Sequence, residues 1–103
     1  MAYRGYIGQI KPGKVDDYIK AHEKVWPELI DVMKKAGLDK EICFVYGNHI
    51  FVYREAADID GALDKLSREP LNEKWDAFME PFLEKPAKDS GDLFLQMKDV
   101  FRM

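Results

Sequence analysis

Two short runs of strand-type sequence, 41–46 (EICFVY) and 49–55 (HIFVYRE), are separated by Gly47 and Asn48 alone. A Gly–Asn pair between two such runs makes a tight antiparallel hairpin. The two-residue period of a strand then puts Phe44 and Tyr46 on one face of the first strand, and Phe51 and Tyr53 on one face of the second. Whatever this chain folds into must be assembled around that hairpin, with comparable lengths of chain on either side.

The flanking segments repeat one pattern. Residues 2–10 read as a strand with apolar residues on both faces, and Gly5 and Gly8 leave room above the sheet, one on each face. Pro12-Gly13 breaks it. Residues 15–36 carry Val15, Tyr18, Ile19, His22, Val25, Trp26, Leu29, Val32, Met33 and Ala36 at helical spacing, and Gly37 supplies a stop. Pro27 lies inside that stretch, so the helix is either kinked near Glu23 or restarts with Pro27 in its first turn. Beyond the hairpin, residues 58–67 form a short amphipathic helix with Ile59, Ala62, Leu63 and Leu66 inward. Pro70 opens another helix, with Leu71, Trp75, Phe78, Met79 and Phe82 on one stripe, and Pro81 and Pro86 mark its end. A polar loop over 85–92 leads to a last strand over 93–101.

The order β-α-β-β-α-β implies an α+β, ferredoxin-like βαββαβ sandwich: a four-stranded antiparallel sheet with helices on one face. All 103 residues, 1–103, fit one domain. The opposite sheet face, rich in Tyr, Phe and Ile, needs cover from a second subunit or a ligand pocket.

Charge narrows the partners. The net charge is −3 and no stripe of Lys or Arg appears, which argues against nucleic acid. No apolar run approaches the roughly 20 residues of a membrane span, and the N-terminus lacks a signal-peptide pattern. With a single cysteine, Cys43, in an apolar run, the expectation is a cytoplasmic protein in which Cys43 is inert packing. His22 and His49 with one cysteine make no metal-site pattern, and there is no glycine-rich phosphate loop. His49, beside the turn, is expected to face solvent.

Tyr18, His22 and Trp26 succeed one another at four-residue steps, along one side of a helix. Aromatic faces stack on the C–H faces of a sugar ring, a phenol can hydrogen-bond a hydroxyl, and an imidazole can give and take a proton near neutral pH. The competing reading is ordinary: aromatics at helical spacing usually pack a core, and a lone His is usually structural. Trp75 raises the same choice, since it lies beside the charged Lys74 and Asp76, whereas Phe78, Met79 and Phe82 read as core.

The run Lys11-Pro12-Gly13, then Tyr18-x-x-x-His22, then Trp26-Pro27-Glu28-Leu29, resembles the start of the L-rhamnose mutarotase family. Lys74-Trp75 resembles its second-helix tryptophan stretch, and Met97-Lys98-Asp99-Val100-Phe101 its C-terminal strand. The resemblance implies a dimeric α/β-barrel type of ferredoxin-like fold and an isomerase that needs no cofactor and interconverts the anomers of a 6-deoxy-L-sugar. It implies that His22 is the catalytic acid–base residue and that Tyr18 and Trp75 contact the sugar. Trp26 belongs to the same motif, as a sugar contact or as packing. This chain has Trp75-Asp76 where many members have Trp-Trp, and Glu23-Lys24 where Asn-Pro often follows the His, which leaves L-fucose or another 6-deoxy sugar open as substrate. A cofactor-free monooxygenase of the same barrel type and a non-catalytic binding module are the other classes compatible with these residues.

Overall fold

The structure, a computed structural model, describes residues 2–87 and 91–103. Along the chain lie β1 (Ala2–Ile10), α1 (Val15–Glu23), α2 (Pro27–Ala36), β2 (Leu38–Tyr46), β3 (His49–Ala56), α3 (Ile59–Ser67), α4 (Pro70–Met79), a 3-10 turn (Glu80–Phe82), β4 (Leu83–Glu84) and β5 (Phe94–Gln96). All strand pairings are antiparallel, in the order β2-β3-β1-β4, with β5 also paired to β1. This is the ferredoxin-like α+β sandwich, with the helical stretch expected over 15–36 divided in two and the two helices expected after the hairpin present as separate elements.

The hairpin forms as expected, with Tyr46 paired to His49 across Gly47-Asn48. Gly47 has φ of 60° and Asn48 has no positive φ, which suits a turn with glycine at its first central position. Pro27 restarts the helix rather than kinking it. It opens α2 with Trp26 as the preceding cap residue, and the Trp26 carbonyl accepts from the Leu29 and Ile30 N–H groups. Gly37, at φ 105°, closes α2, its N–H donating to the Lys34 carbonyl. Asp58 starts α3, its side chain accepting from the Gly61 N–H at 3.1 Å.

The far edge of β1 departs from the expected single last strand. β4 takes Gln9 and Ile10, while β5 takes Tyr6, Ile7 and Gly8, so two short strands share that edge. β5 ends at Gln96, well short of the expected 101. Within the loop expected at 85–92, residues 88–90 lie outside the described residues.

Alternation along the strands sends Tyr6, Gly8 and Ile10 of β1, and Ile50, Val52 and Arg54 of β3, toward the helices. There Ile10, Leu29 and Ile50 are fully buried, with Tyr18, Val52, Trp75, Met79 and Leu83 around them. Leu38, Ala56, Ile59 and Ala62 form a second cluster at the other end of the sheet. On the opposite face, among the described residues, no helix covers Ile42, Phe44 (54% exposed) or Tyr46 (81% exposed). Two expectations fail on burial. Phe78 is 45% exposed, because α4 turns it to the flank of the bundle. Cys43 is not packed inside the sheet but opens onto a cavity between sheet and helices.

Candidate active site

The cavity lies between the helix-facing side of the sheet and α1, α3 and α4, with a volume of about 560 Å³. A second hollow of about 420 Å³, toward α2 and the start of β2, shares His22, Trp75, Met33, Glu41 and Cys43 with it. Both volumes fall in the range of small-molecule sites, about 300–1,000 Å³. His22 and Trp75 thus sit where two open spaces meet.

The end of α1 supplies the first wall. Tyr18 and His22 are one helical turn apart, and their rings lie 4.3 Å apart, centroid to centroid. His22 Nδ1 is 2.9 Å from the Tyr18 carbonyl oxygen. A carbonyl can only accept, so Nδ1 carries the hydrogen in this contact. The neutral ring then keeps its lone pair on Nε2. The hydrogen bond fixes both the tautomer and the tilt of the ring.

Tyr18 is almost wholly buried and lines the cavity. Burial, then the negative fields of Cys43 once it ionises at alkaline pH and of Glu41, push its phenol far above the ordinary value, so the hydroxyl remains a donor throughout the neutral range. Although Cys43 is open to the cavity, the surrounding walls strip water from its thiol and raise it to about 11, with Glu41 adding to the effect and Arg54 opposing it. Cys43 is therefore a neutral thiol in the cavity wall rather than a nucleophile.

α4 brings Trp75 against His22, edge to face, at 5.4 Å. Trp75 is 8% exposed and borders both open spaces. Trp26 does not border them. It packs edge-on behind Trp75 at 5.0 Å and stacks on Phe78 at 5.8 Å, which ties the α1–α2 junction to α4. Of the four residues singled out from sequence, the fold brings Tyr18, His22 and Trp75 together at the cavity and leaves Trp26 behind them.

Sequence reasoning noted Asp76 as a departure from the family pattern but missed Glu41 and Arg54 and the polar floor they make. Arg54 and Glu41 are register partners on β3 and β2, and Arg54 Nε donates to Glu41 Oε1 at 2.5 Å. Asp76 reaches the same space from α4. Alternation on the hairpin could have placed Glu41, Cys43 and Arg54 on the helix-facing side, but nothing local pointed to a cavity there. His49 is exposed at the turn, away from the site. Among the described residues, no group of three His, Cys, Asp or Glu side chains is placed to hold a metal ion, and no helix is long and apolar enough to cross a membrane.

An imidazole with a fixed tautomer, a phenol that stays protonated through the neutral range and a buried indole around a cavity of this size can bind a small polyol and shuttle a proton on it. The family model described as L-rhamnose mutarotase matches residues 4–103. An L-rhamnose mutarotase from Oceanobacillus iheyensis is 31% identical, the match covering 100% of this chain and 99% of that protein. The crystal structure of an L-rhamnose mutarotase from Formosa agariphila superposes with a TM-score of 0.80 at 20% identity, covering 100% of this chain and 99% of that one. An antibiotic biosynthesis monooxygenase also superposes, with a TM-score of 0.63 at 16% identity, covering 97% and 99%. The fold is thus shared by unlike chemistries, and the function must be argued from the site.

Proposed function

The chain belongs to the L-rhamnose mutarotase family, and from that premise we propose that it interconverts the α and β anomers of a 6-deoxy-L-sugar, L-rhamnose first, by histidine-mediated opening of the ring. The observation that carries this reading is His22 itself, pinned by Nδ1 to the Tyr18 carbonyl in the wall of an aromatic-lined cavity.

In the proposed reaction Nε2 of His22 takes the proton from the anomeric hydroxyl. Its electron pair closes the C1=O1 bond as the bond from C1 to the ring oxygen breaks. The ring oxygen sits on the same carbon as the hydroxyl, so the imidazolium can return the proton to it without moving. Rotation about C1–C2 presents the other aldehyde face, and the reverse steps close the ring as the second anomer. Tyr18, held protonated, donates a hydrogen bond that orients a sugar oxygen, and Trp75 stacks on the C–H face of the ring. Trp26 holds Trp75 in place.

The oligomer belongs to the same proposal. Helices cover one sheet face and leave Ile42, Phe44, Tyr46 and Phe51 on the other, which supports a homodimer closed sheet to sheet. A reducing cytoplasm suits an unpaired thiol such as Cys43.

Saturation transfer between the anomeric protons of L-rhamnose, and in parallel L-fucose, tests the reading directly. General acid–base help is worth about 10²–10⁴-fold, so His22→Asn should lose exchange by that factor while its circular dichroism stays that of wild type. Exchange undiminished in a folded His22→Asn protein would refute the role given to His22.

A further inference from the structure

The aromatic residues account for only part of the cavity. Its remaining wall is charged. Arg54 and Glu41 form an ion pair on the sheet floor, each side chain only about a quarter exposed (26% and 22%). The Arg54 guanidinium also lies over the Tyr6 ring, 5.7 Å from its centroid. Asp76 enters from α4, one residue after Trp75, and borders the same space as Tyr18 and His22.

Asp76 is not part of a structural clamp. Among the described residues no hydrogen bond or ion pair engages its carboxylate, although it feels the positive field of Arg54 and the negative fields of Glu41 and Glu73. Asp76 and Arg54 thus border the same cavity without pairing. Four carboxylates, Glu41, Asp76, Glu80 and Asp92, line the cavity against the one guanidinium of Arg54, so its wall carries a net negative charge. Loss of hydration at the cavity mouth raises the Asp76 carboxyl, in the same sense as the two glutamates and against Arg54. A carboxylate in that situation gains from a hydroxyl donor that replaces the lost water.

Resting on the reading of the cavity as a sugar site, we propose that Asp76, backed by the Arg54–Glu41 pair, is a specificity-determining residue that accepts a hydrogen bond from a ring hydroxyl and confines the site to uncharged sugars. The sugar hydroxyl donates to the Asp76 carboxylate, and a neighbouring oxygen accepts from Arg54. The excess negative charge turns away a sugar acid or sugar phosphate, whose own anion would face the carboxylates that line the cavity. Asp76 binds without taking part in the proton shuttle, so its effect falls on affinity rather than on turnover.

Two variants and two readouts decide it. Asp76→Leu removes the acceptor from a solvent-facing helix position, and Asp76→Asn keeps one acceptor oxygen while removing the charge. L-rhamnose and L-fucose binding is followed by amide chemical-shift titration, anomer exchange by saturation transfer, and folding by circular dichroism. Losing a hydrogen bond to a charged group costs about 10–100-fold in affinity. Asp76→Leu should weaken binding by that factor, with exchange at saturating sugar within about threefold of wild type. Asp76→Asn should recover part of the lost affinity for neutral sugars and bind D-galacturonate more tightly than wild type does. Sugar binding by Asp76→Leu within twofold of wild type overturns the proposal, as does tight galacturonate binding by the wild-type protein. The fate of the mutarotase reading is separate. If wild type binds sugar without exchanging anomers, that reading falls, and a loss of binding in Asp76→Leu still supports the charged wall. If wild type binds neither sugar, both fall.

Discussion

Gly8 offers the most decisive test of the packing that closes the cavity. It pairs with Ile50 on one side and with Phe94 of β5 on the other. The Phe94 ring lies over it, so that a Cβ added at position 8 would sit 2.6 Å from Phe94 Cε1 and 2.8 Å from Cδ1. Real Cβ contacts are not that short, so the ring must move. Gly8→Ala in an open strand would stabilise the chain by roughly 0.5–1 kcal/mol, through the entropy of the unfolded state. Forcing an aromatic ring out of its packed position costs about 1–3 kcal/mol. The clash wins, with a net loss of roughly 1–2 kcal/mol. For a domain of this size that lowers Tm by about 4–10 °C, measured by thermal circular dichroism at fixed protein concentration. Because Phe94 also lines the cavity, sugar affinity should fall with it. Trimming the ring should remove the clash, so Gly8→Ala should cost little when made in a Phe94→Ala background. A Gly8→Ala protein as stable as wild type, or one equally destabilised in both backgrounds, would refute this account of the β1–β5 edge.

Other perturbations probe the site and the assembly. Leu29→Ala empties a fully buried position and should cost about 2–5 kcal/mol in urea unfolding, without changing the residues that line the cavity. Thiolate absorbance of Cys43 should rise with a midpoint near pH 11, since loss of hydration among the cavity walls and Glu41 both favour the neutral thiol; a midpoint at the ordinary 9.0 would contradict the cavity placement. The folded phenol of Tyr18 titrates above the unfolded one, so its stabilising contribution is complete below pH 10 and is lost as pH climbs above that value. Tyr18→Phe should therefore flatten the alkaline limb of a stability–pH curve. Phe44→Glu should convert the proposed dimer to monomer by light scattering, leaving the helix-side cavity intact.

Much of this architecture is written in local sequence. The hairpin needs only two strand-period runs and a Gly–Asn turn, and both halves follow from Pro12, Gly37, Asp58 and Pro70 punctuating periodic segments. Tyr18 and His22 share a helix face because four residues are about one turn, whatever surrounds them. Family resemblance added Trp75, which spacing alone could not separate from core.

Tertiary structure decided everything that depends on register between distant segments. Kink and restart at Pro27 are both consistent with a proline in a helical pattern, and the folded chain takes the restart, with Pro27 as the first residue of α2. The room left by Gly5 and Gly8 was predictable, but not that Met97 and Phe94 would approach those positions. Trp26 and Trp75 are equally aromatic in sequence; the way α4 lies across the α1–α2 junction puts one at the cavity and the other behind it. Glu41, Arg54 and Asp76 come from three separate elements and carry no common local signal. Sequence periodicity fixes which way a side chain points from its own helix or strand, whereas what it meets there is set by long-range pairing.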